Sequence, residues 1–249
     1  MTENENFELR ANGYTYLRNK ISIEWLDHLS ELIDKSFEIR GTPGVALHAI
    51  LDNDNYIQFL GYLMKRGIIQ ELKDNFFGGN CILNSFSALD NIPNQPNFSS
   101  IVHRDLRFYS GKFPVMLNCL VMVDDFTEEN GGTYLLPGSH LEERKPQDKD
   151  FFQNAKQATG KRGDILIFNA NVWHASAPNK TQEHRRAIPI TISKPFMKQL
   201  LDYPRALGYD RMVEFTNEMA QFLGYHSRVP ASLEEWNQPE EKRFYKKDA

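Results

Sequence analysis

Between residues 81 and 193 the chain carries five short segments rich in β-forming residues: "CILNSFSAL" (81–89), "VMLNCLVMV" (115–123), "TYLLP" (133–137), "DILIF" (164–168) and "AIPITIS" (187–193). Turn-forming strings, "NIPNQP", "ENGG", "PGSH" and "KRGD", separate most of them. Short one-faced strands cannot bury themselves singly, so this punctuation predicts two packed sheets, a sandwich or jelly roll. The flanks read as helical. Ser22 opens a predicted helix over 22–37, with Trp25, Leu26, Leu29, Leu32, Ile33 and Phe37 at helical spacing. Further helices are predicted over about 55–65, 69–76, 195–202 and 211–223, before a charged tail. The expected organisation is a single domain over 1–249: a helical N-terminal part (about 1–78), a β-core (about 80–195) and a helical C-terminal part (about 196–249).

The chain's 249 residues are 41% hydrophobic and 12% aromatic, enough for a substantial core. Its net charge of −4, with no long basic run, argues against nucleic acid as the main partner. Cys81 and Cys119 form no CxxC pair, and the start "MTENENFELR" is polar, unlike a signal peptide. No apolar run approaches the roughly 18 residues that span a bilayer. The expected setting is a reducing cytoplasm, where "NFS" (97–99) and "NKT" (179–181) are chance matches to a glycosylation triplet and a redox metal keeps its lower oxidation state.

Within "SSIVHRDLRFYS" (99–110), His103 and Asp105 stand two positions apart, so an extended backbone sends both side chains to one face. A third ligand must come from a distant strand. His28 lies on the polar face of the first predicted helix, His140 closes a turn and His226 sits in the C-terminal helical region. His174 instead lies just beyond the predicted strand "DILIF". The turn signal "PNKT" (178–181) falls midway between His174 and Arg185, so a hairpin there would make those two cross-strand neighbours. A guanidinium beside a metal-binding histidine suits a co-ligand with a distal carboxylate, which arginine grips through two parallel hydrogen bonds. Ser176, on the face of His174, adds a hydroxyl. Two histidines and a carboxylate with open positions favour non-haem Fe(II). Zinc is the rival on ligands alone, although its usual HExxH string is absent.

The blocks "HRDL" (103–106), "ENGGTYLLPGSH" (129–140), "RGDIL" (162–166) and "HASAPNKTQEHRR" (174–186) resemble, in order and spacing, the phytanoyl-CoA dioxygenase family of Fe(II)- and 2-oxoglutarate-dependent oxygenases. The resemblance covers about residues 80–195 and implies a double-stranded β-helix, a jelly-roll (cupin-like) core with flanking helices. It implies His103, Asp105 and His174 as catalytic iron ligands. Arg185 and Ser176 would hold 2-oxoglutarate, with Asn118 and Thr133 as further cosubstrate contacts. Alternation turns Asn118 inward with Leu120 and Met122, and Cys119 outward as a core thiol. Fe(II), 2-oxoglutarate and O2 are the implied cofactors, with ascorbate as a reductant.

The implied reaction couples oxidative decarboxylation of 2-oxoglutarate, to succinate and CO2, with hydroxylation of an unactivated carbon. Related halogenases replace the metal-binding carboxylate with a small residue, so Asp105 argues against halogenation. Desaturation and ring formation stay open beside hydroxylation. Arg186 and His184 must face away from Arg185 on a regular strand. Arg104 and Arg107 flank the ligands as attractors of an anionic substrate group or as plain surface charges. His48 lies where relatives approach the cosubstrate. The expected substrate is a small polar or anionic metabolite or natural-product intermediate. The alternatives are a macromolecule or lipid-linked sugar as substrate, and a catalytically silent jelly-roll binding protein. Oligomeric state is open, since Phe196, Leu200, Leu201 and Phe215 can pack on the sheet or on a second subunit.

Overall fold

A computed structural model of the chain describes residues 1–40, 47–48, 54–94 and 100–244, with the backbone alone at 40, 47 and 48. The expected role of the His48 side chain lies outside the described residues. The chain forms two compact units, Met1–Ile50 with Phe86–Thr191, and Leu51–Ser85 with Ile192–Ala249.

The first unit opens with helix α1 (Glu3–Asn12), strand β1 (Tyr14–Leu17) and helix α2 (Ile23–Arg40). Thr2 and Glu5 close a reciprocal capping box on α1. The remaining strands are β2 (Leu47–His48), β3 (Ile82–Asn91), β4 (Met116–Met122), β5 (Tyr134–Leu135), β6 (Lys156–Gln157), β7 (Ile165–Asn169), β8 (His174–Ala175) and β9 (Arg185–Ser193). Six build one sheet in the order β1-β7-β4-β9-β3-β2, and three build another in the order β6-β5-β8. The pairings β1–β7, β4–β7, β5–β6 and β5–β8 are all antiparallel.

Leu120 and Met122 of β4, Leu166 and Phe168 of β7, Ala187 of β9 and Leu135 of β5 share one buried cluster with Phe126 and Val172. Because it draws on both sheets, this cluster fills the space between them, and the architecture is the expected jelly roll. All seven residues of β4 are buried, so this central strand is covered on both faces. A second cluster, Val102, Phe151, Trp173 and Ala175, packs beside the small sheet. Its Phe151 comes from the short helix Asp148–Asn154.

The expected hairpin between His174 and Arg185 does not form. His174 belongs to β8 in the small sheet and Arg185 to β9 in the large one. The intervening segment is tied to other segments as well as to itself. Buried Asn179 donates to the Asn91 and Glu183 carbonyls at 2.7 and 2.8 Å, and Lys180 N–H donates to the Glu129 carbonyl. These bonds carry the chain from one sheet to the other.

In the second unit, α3 (Asp54–Lys65) buries Tyr56, Ile57, Phe59, Leu60 and Leu63. Helix α4 (Ile68–Leu72) widens at Lys73–Phe77 into a π turn that stops at Gly78. The helix expected over 195–202 is absent. Side-chain and backbone bonds to neighbouring segments hold this stretch in turns: the Gln199 amide donates to the Leu83 and Leu223 carbonyls, and Leu200 N–H donates to the Asn84 carbonyl. Helix starts only at Tyr203, where Asp202 caps Arg205 N–H and Pro204 suits the first turn. The 211–223 expectation divides into a 3₁₀ segment, Tyr209–Glu214, and a helix, Asn217–Leu223.

Candidate metal centre

His103 and His174 form an isolated antiparallel bridge, each backbone N–H donating to the other's carbonyl at 3.0 and 2.8 Å. Directly opposed residues project to the same side. The two imidazoles accordingly lie with ring centroids 4.2 Å apart. Each ring is oriented by the carbonyl two residues before it. His103 Nδ1 lies 2.7 Å from Ile101 O, and His174 Nδ1 lies 3.0 Å from Val172 O. A carbonyl only accepts, so Nδ1 carries the proton and Nε2 presents its lone pair.

Both lone pairs meet one carboxylate. His103 Nε2 is 3.7 Å from Asp105 Oδ1, and His174 Nε2 is 3.6 Å from Asp105 Oδ2. One donor atom from each residue lies within 4.8 Å of the others, the spacing of a facial ligand set. Burial holds the His174 imidazole below its ordinary range, against the pull of Asp105, which keeps it neutral as a ligand must be. Phe168 stands edge-on to the same ring at 5.0 Å. Asp105 itself sits in a bend outside any strand, its side chain 37% exposed. Asn118 Nδ2 donates to Asp105 Oδ2 at 2.7 Å, and Thr191 Oγ1 donates to Asn118 Oδ1 at 2.9 Å.

Arg185 is 1% exposed. Its Nη2 donates to the Gly131 carbonyl at 3.1 Å, and its guanidinium lies 4.2 Å from the Phe126 ring centre. Nε and Nη1 are buried with no partner among the described residues. Burial pushes its pKa down to about 10, opposed by Asp90 and Asp124. The group is a buried cation with two donors to spare.

The other expected residues divide. Thr133 is buried next to β5, and Ser176 is half-buried just beyond β8. Arg186 takes the opposite face, as expected, forking onto Asp124 and reaching Asp34. His184 is half-exposed, and its Nδ1 lies 2.7 Å from Asp90 Oδ2. Arg104, between the two ligands, lies 5.0 Å over the Trp173 ring. Arg107 is exposed. Thr191, Phe126 and the Gly131 carbonyl were not foreseen. Thr191 shares the parity of Arg185 on β9, which was the available signal.

The phytanoyl-CoA dioxygenase family matches residues 9–187. An uncharacterised protein of Mycobacterium tuberculosis is 33% identical over 150 residues, covering 60% of this chain and 55% of the relative. The dioxygenase sphC of Aspergillus fumigatus is 28% identical over 144 residues, covering 54% of this chain and 39% of the relative. The chain thus spans about half the length of these curated relatives. Among solved structures, the non-haem α-ketoglutarate-dependent carbocyclase SnoK from nogalamycin biosynthesis shares the fold, with a TM-score of 0.64 at 16% identity over 84% of this chain and 91% of that one. With the match running from α1 through the jelly roll to β9, the chain belongs to the phytanoyl-CoA dioxygenase family.

Proposed function

We propose that the chain is an Fe(II)- and 2-oxoglutarate-dependent dioxygenase that hydroxylates an unactivated carbon of a small polar or anionic metabolite or natural-product intermediate. Enzymes of this family use Fe(II), 2-oxoglutarate and O2. The observation that carries the reading is the Arg185 guanidinium, fully buried with Nε and Nη1 unpartnered among the described residues, in the unit that also holds the His103, Asp105 and His174 donors. An unmatched buried cation is costly to keep. It fits a ligand that brings its own carboxylate, and the three donors fit a divalent metal of the non-haem iron type.

In this reading His103 and His174 bind the metal through Nε2, and Asp105 supplies the anionic ligand. Iron, when bound there, supplies the activation of dioxygen at the expense of 2-oxoglutarate, which leaves as succinate and CO2. Arg185 orients the cosubstrate through its distal carboxylate, with Ser176 just beyond β8 and Thr133 just before β5 as further contacts. Asp105 fills the position that halide would need, which favours hydroxylation. Phe168, edge-on to the His174 ring, brings the apolar core up to the site and limits water there. The whole chain acts as one catalytic domain. Both cysteines are buried and unbridged, which suits the cytoplasm, and no helix among the described residues is long and apolar enough to cross a membrane.

The test is succinate formation from 2-oxoglutarate with Fe(II) and ascorbate, alongside His174→Ala and Arg185→Leu. Turnover that both substitutions abolish supports the reading. A folded protein that neither forms succinate nor binds 2-oxoglutarate in the presence of Fe(II) overturns it and leaves a silent binding protein.

A further inference from the structure

The three donors of the metal centre are not held equally. Each histidine is fixed twice, by the backbone bridge between His103 and His174 and by an Nδ1 bond to a carbonyl. Asp105 has neither support: it lies in a bend, over a third exposed, with two free side-chain torsions. The fixed contact that it does have is the Asn118 amide at 2.7 Å.

The polarity of that contact is forced. An ionised carboxylate accepts only, so the amide nitrogen must face Asp105 and the amide oxygen must face away. That oxygen meets the Thr191 hydroxyl at 2.9 Å, which must therefore donate. The register puts Thr191 there. Val123 N–H reaches the Arg186 carbonyl, and counting back from Val123 into β4 while counting forward from Arg186 along β9 sets Asn118 across from Thr191, in line with their side-chain bond. Asn118 is 6% exposed, on a strand buried on both faces, so its own position is set by the sheet.

We propose that Asn118 and Thr191 form a directional relay that positions the Asp105 carboxylate for the metal, with Thr191 acting only through the Asn118 amide. Asn118 is then a positioning residue in place of the cosubstrate contact that the family resemblance implies. Thr191 clamps the amide against a flip that would turn its oxygen on the carboxylate. The inference rests on the reading of His103, Asp105 and His174 as the metal site.

The experiment titrates Co(II), whose visible absorption reports its ligand geometry, into the metal-free full-length protein. It compares wild type with Asn118→Leu, Thr191→Val, Thr191→Ser, the double variant Asn118→Leu/Thr191→Val, and His174→Ala. Partners that orient metal ligands are typically worth about ten- to a hundredfold in metal affinity. Asn118→Leu is expected to weaken Co(II) by about that factor and to alter its absorption. Thr191→Val is expected to weaken it less, Thr191→Ser to restore it, and Thr191→Val to add nothing once Asn118 is Leu. If Asn118→Leu fails to fold, the contrast between Thr191→Val and Thr191→Ser decides.

Unchanged affinity and absorption in both Asn118→Leu and Thr191→Val, with binding still lost in His174→Ala, overturn the relay and leave the metal site standing. An equal effect of Thr191→Val with and without Asn118 also overturns it, because that is the mark of a merely structural role. Co(II) binding that His174→Ala does not weaken overturns the metal-site reading itself.

Discussion

Arg185 and Arg186 leave β9 on opposite faces and meet opposite fates. Arg185 is fully buried over Phe126 with two nitrogens that have no partner among the described residues, whereas Arg186 forks onto Asp124 at 2.9 and 3.0 Å and also reaches Asp34. Alternation along a strand, not any difference in chemistry, buries one guanidinium with donors to spare and ties the other to the scaffold.

Lysine at the two positions should therefore separate binding from stability. Arg185→Lys loses the planar fork and should weaken 2-oxoglutarate, measured calorimetrically with a bound divalent metal, by about ten- to a hundredfold. Arg186→Lys should leave that affinity within about twofold and lower stability by about 1 kcal/mol in chemical denaturation. With its pKa pushed down only to about 10, Arg185 keeps its charge at neutral pH. Its contribution to affinity should then be flat below about pH 9.

Gly131 supplies the carbonyl that Arg185 holds, at a φ of 89°. A methyl group there would run into the Asn91 amide and come within 2.6 Å of the Ala177 carbonyl. Gly131→Ala should cost about 2–4 kcal/mol and weaken 2-oxoglutarate as well. Gly111 also has positive φ, 58°, but nothing within 4 Å of the added carbon. Gly111→Ala should cost only about 1 kcal/mol and spare binding.

His140 is buried, its Nε2–H donating to the Arg10 carbonyl at 3.1 Å and its Nδ1 without a partner among the described residues. Burial holds its pKa below the ordinary value. The unfolded chain thus takes up a proton first on acidification, so stability present above about pH 6.5 is lost as pH falls toward the folded value. His140→Phe should be less stable than wild type at pH 7.5, and the gap should narrow toward pH 5 in paired thermal melts.

Asp90 presents the reverse case. Burial pushes its carboxyl up, against the bond from His184, and its Oδ1 has no partner among the described residues. A raised folded value means that ionisation disfavours the fold, so this group favours folding below its unfolded value and the benefit is lost as pH rises. Asp90→Asn should melt higher than wild type at pH 7 and level with it below about pH 4.

The five strand segments were legible because β-branched and aromatic residues fall between explicit turn strings, and each expected strand overlaps an observed one. The HxD pair, His174 and Arg185 were legible from spacing and family blocks. Helix α1 escaped because "ENENFELRAN" buries only Leu9, although Thr2 and Glu5 spelled its cap. Residues 195–202 misled in the other direction: their apolar spacing looks helical, yet Phe196 and Leu200 are exposed. The parity of Thr191 with Arg185 put it on the right face, but its pairing with Asn118 was not legible, since it depends on register between strands far apart in the chain. The chain does bend at the end of "PNKT", where Asn179 Oδ1 accepts from Thr181 N–H, but the next strand joins the other sheet, along with the bonds that Asn179 and Lys180 make to Asn91 and Glu129.

His103 and His174 are opposed only after a segment made late in translation returns to one made much earlier. A nascent or clipped chain that ends before β8 holds a lone HxD loop, with neither the second imidazole nor the Arg185 guanidinium. Under the proposed metal-site reading, ion capture waits until the topology is complete. Half-made chains would then be spared an unshielded ferrous ion in the presence of oxygen, and metal retention would gauge how much of a preparation has reached its native closure.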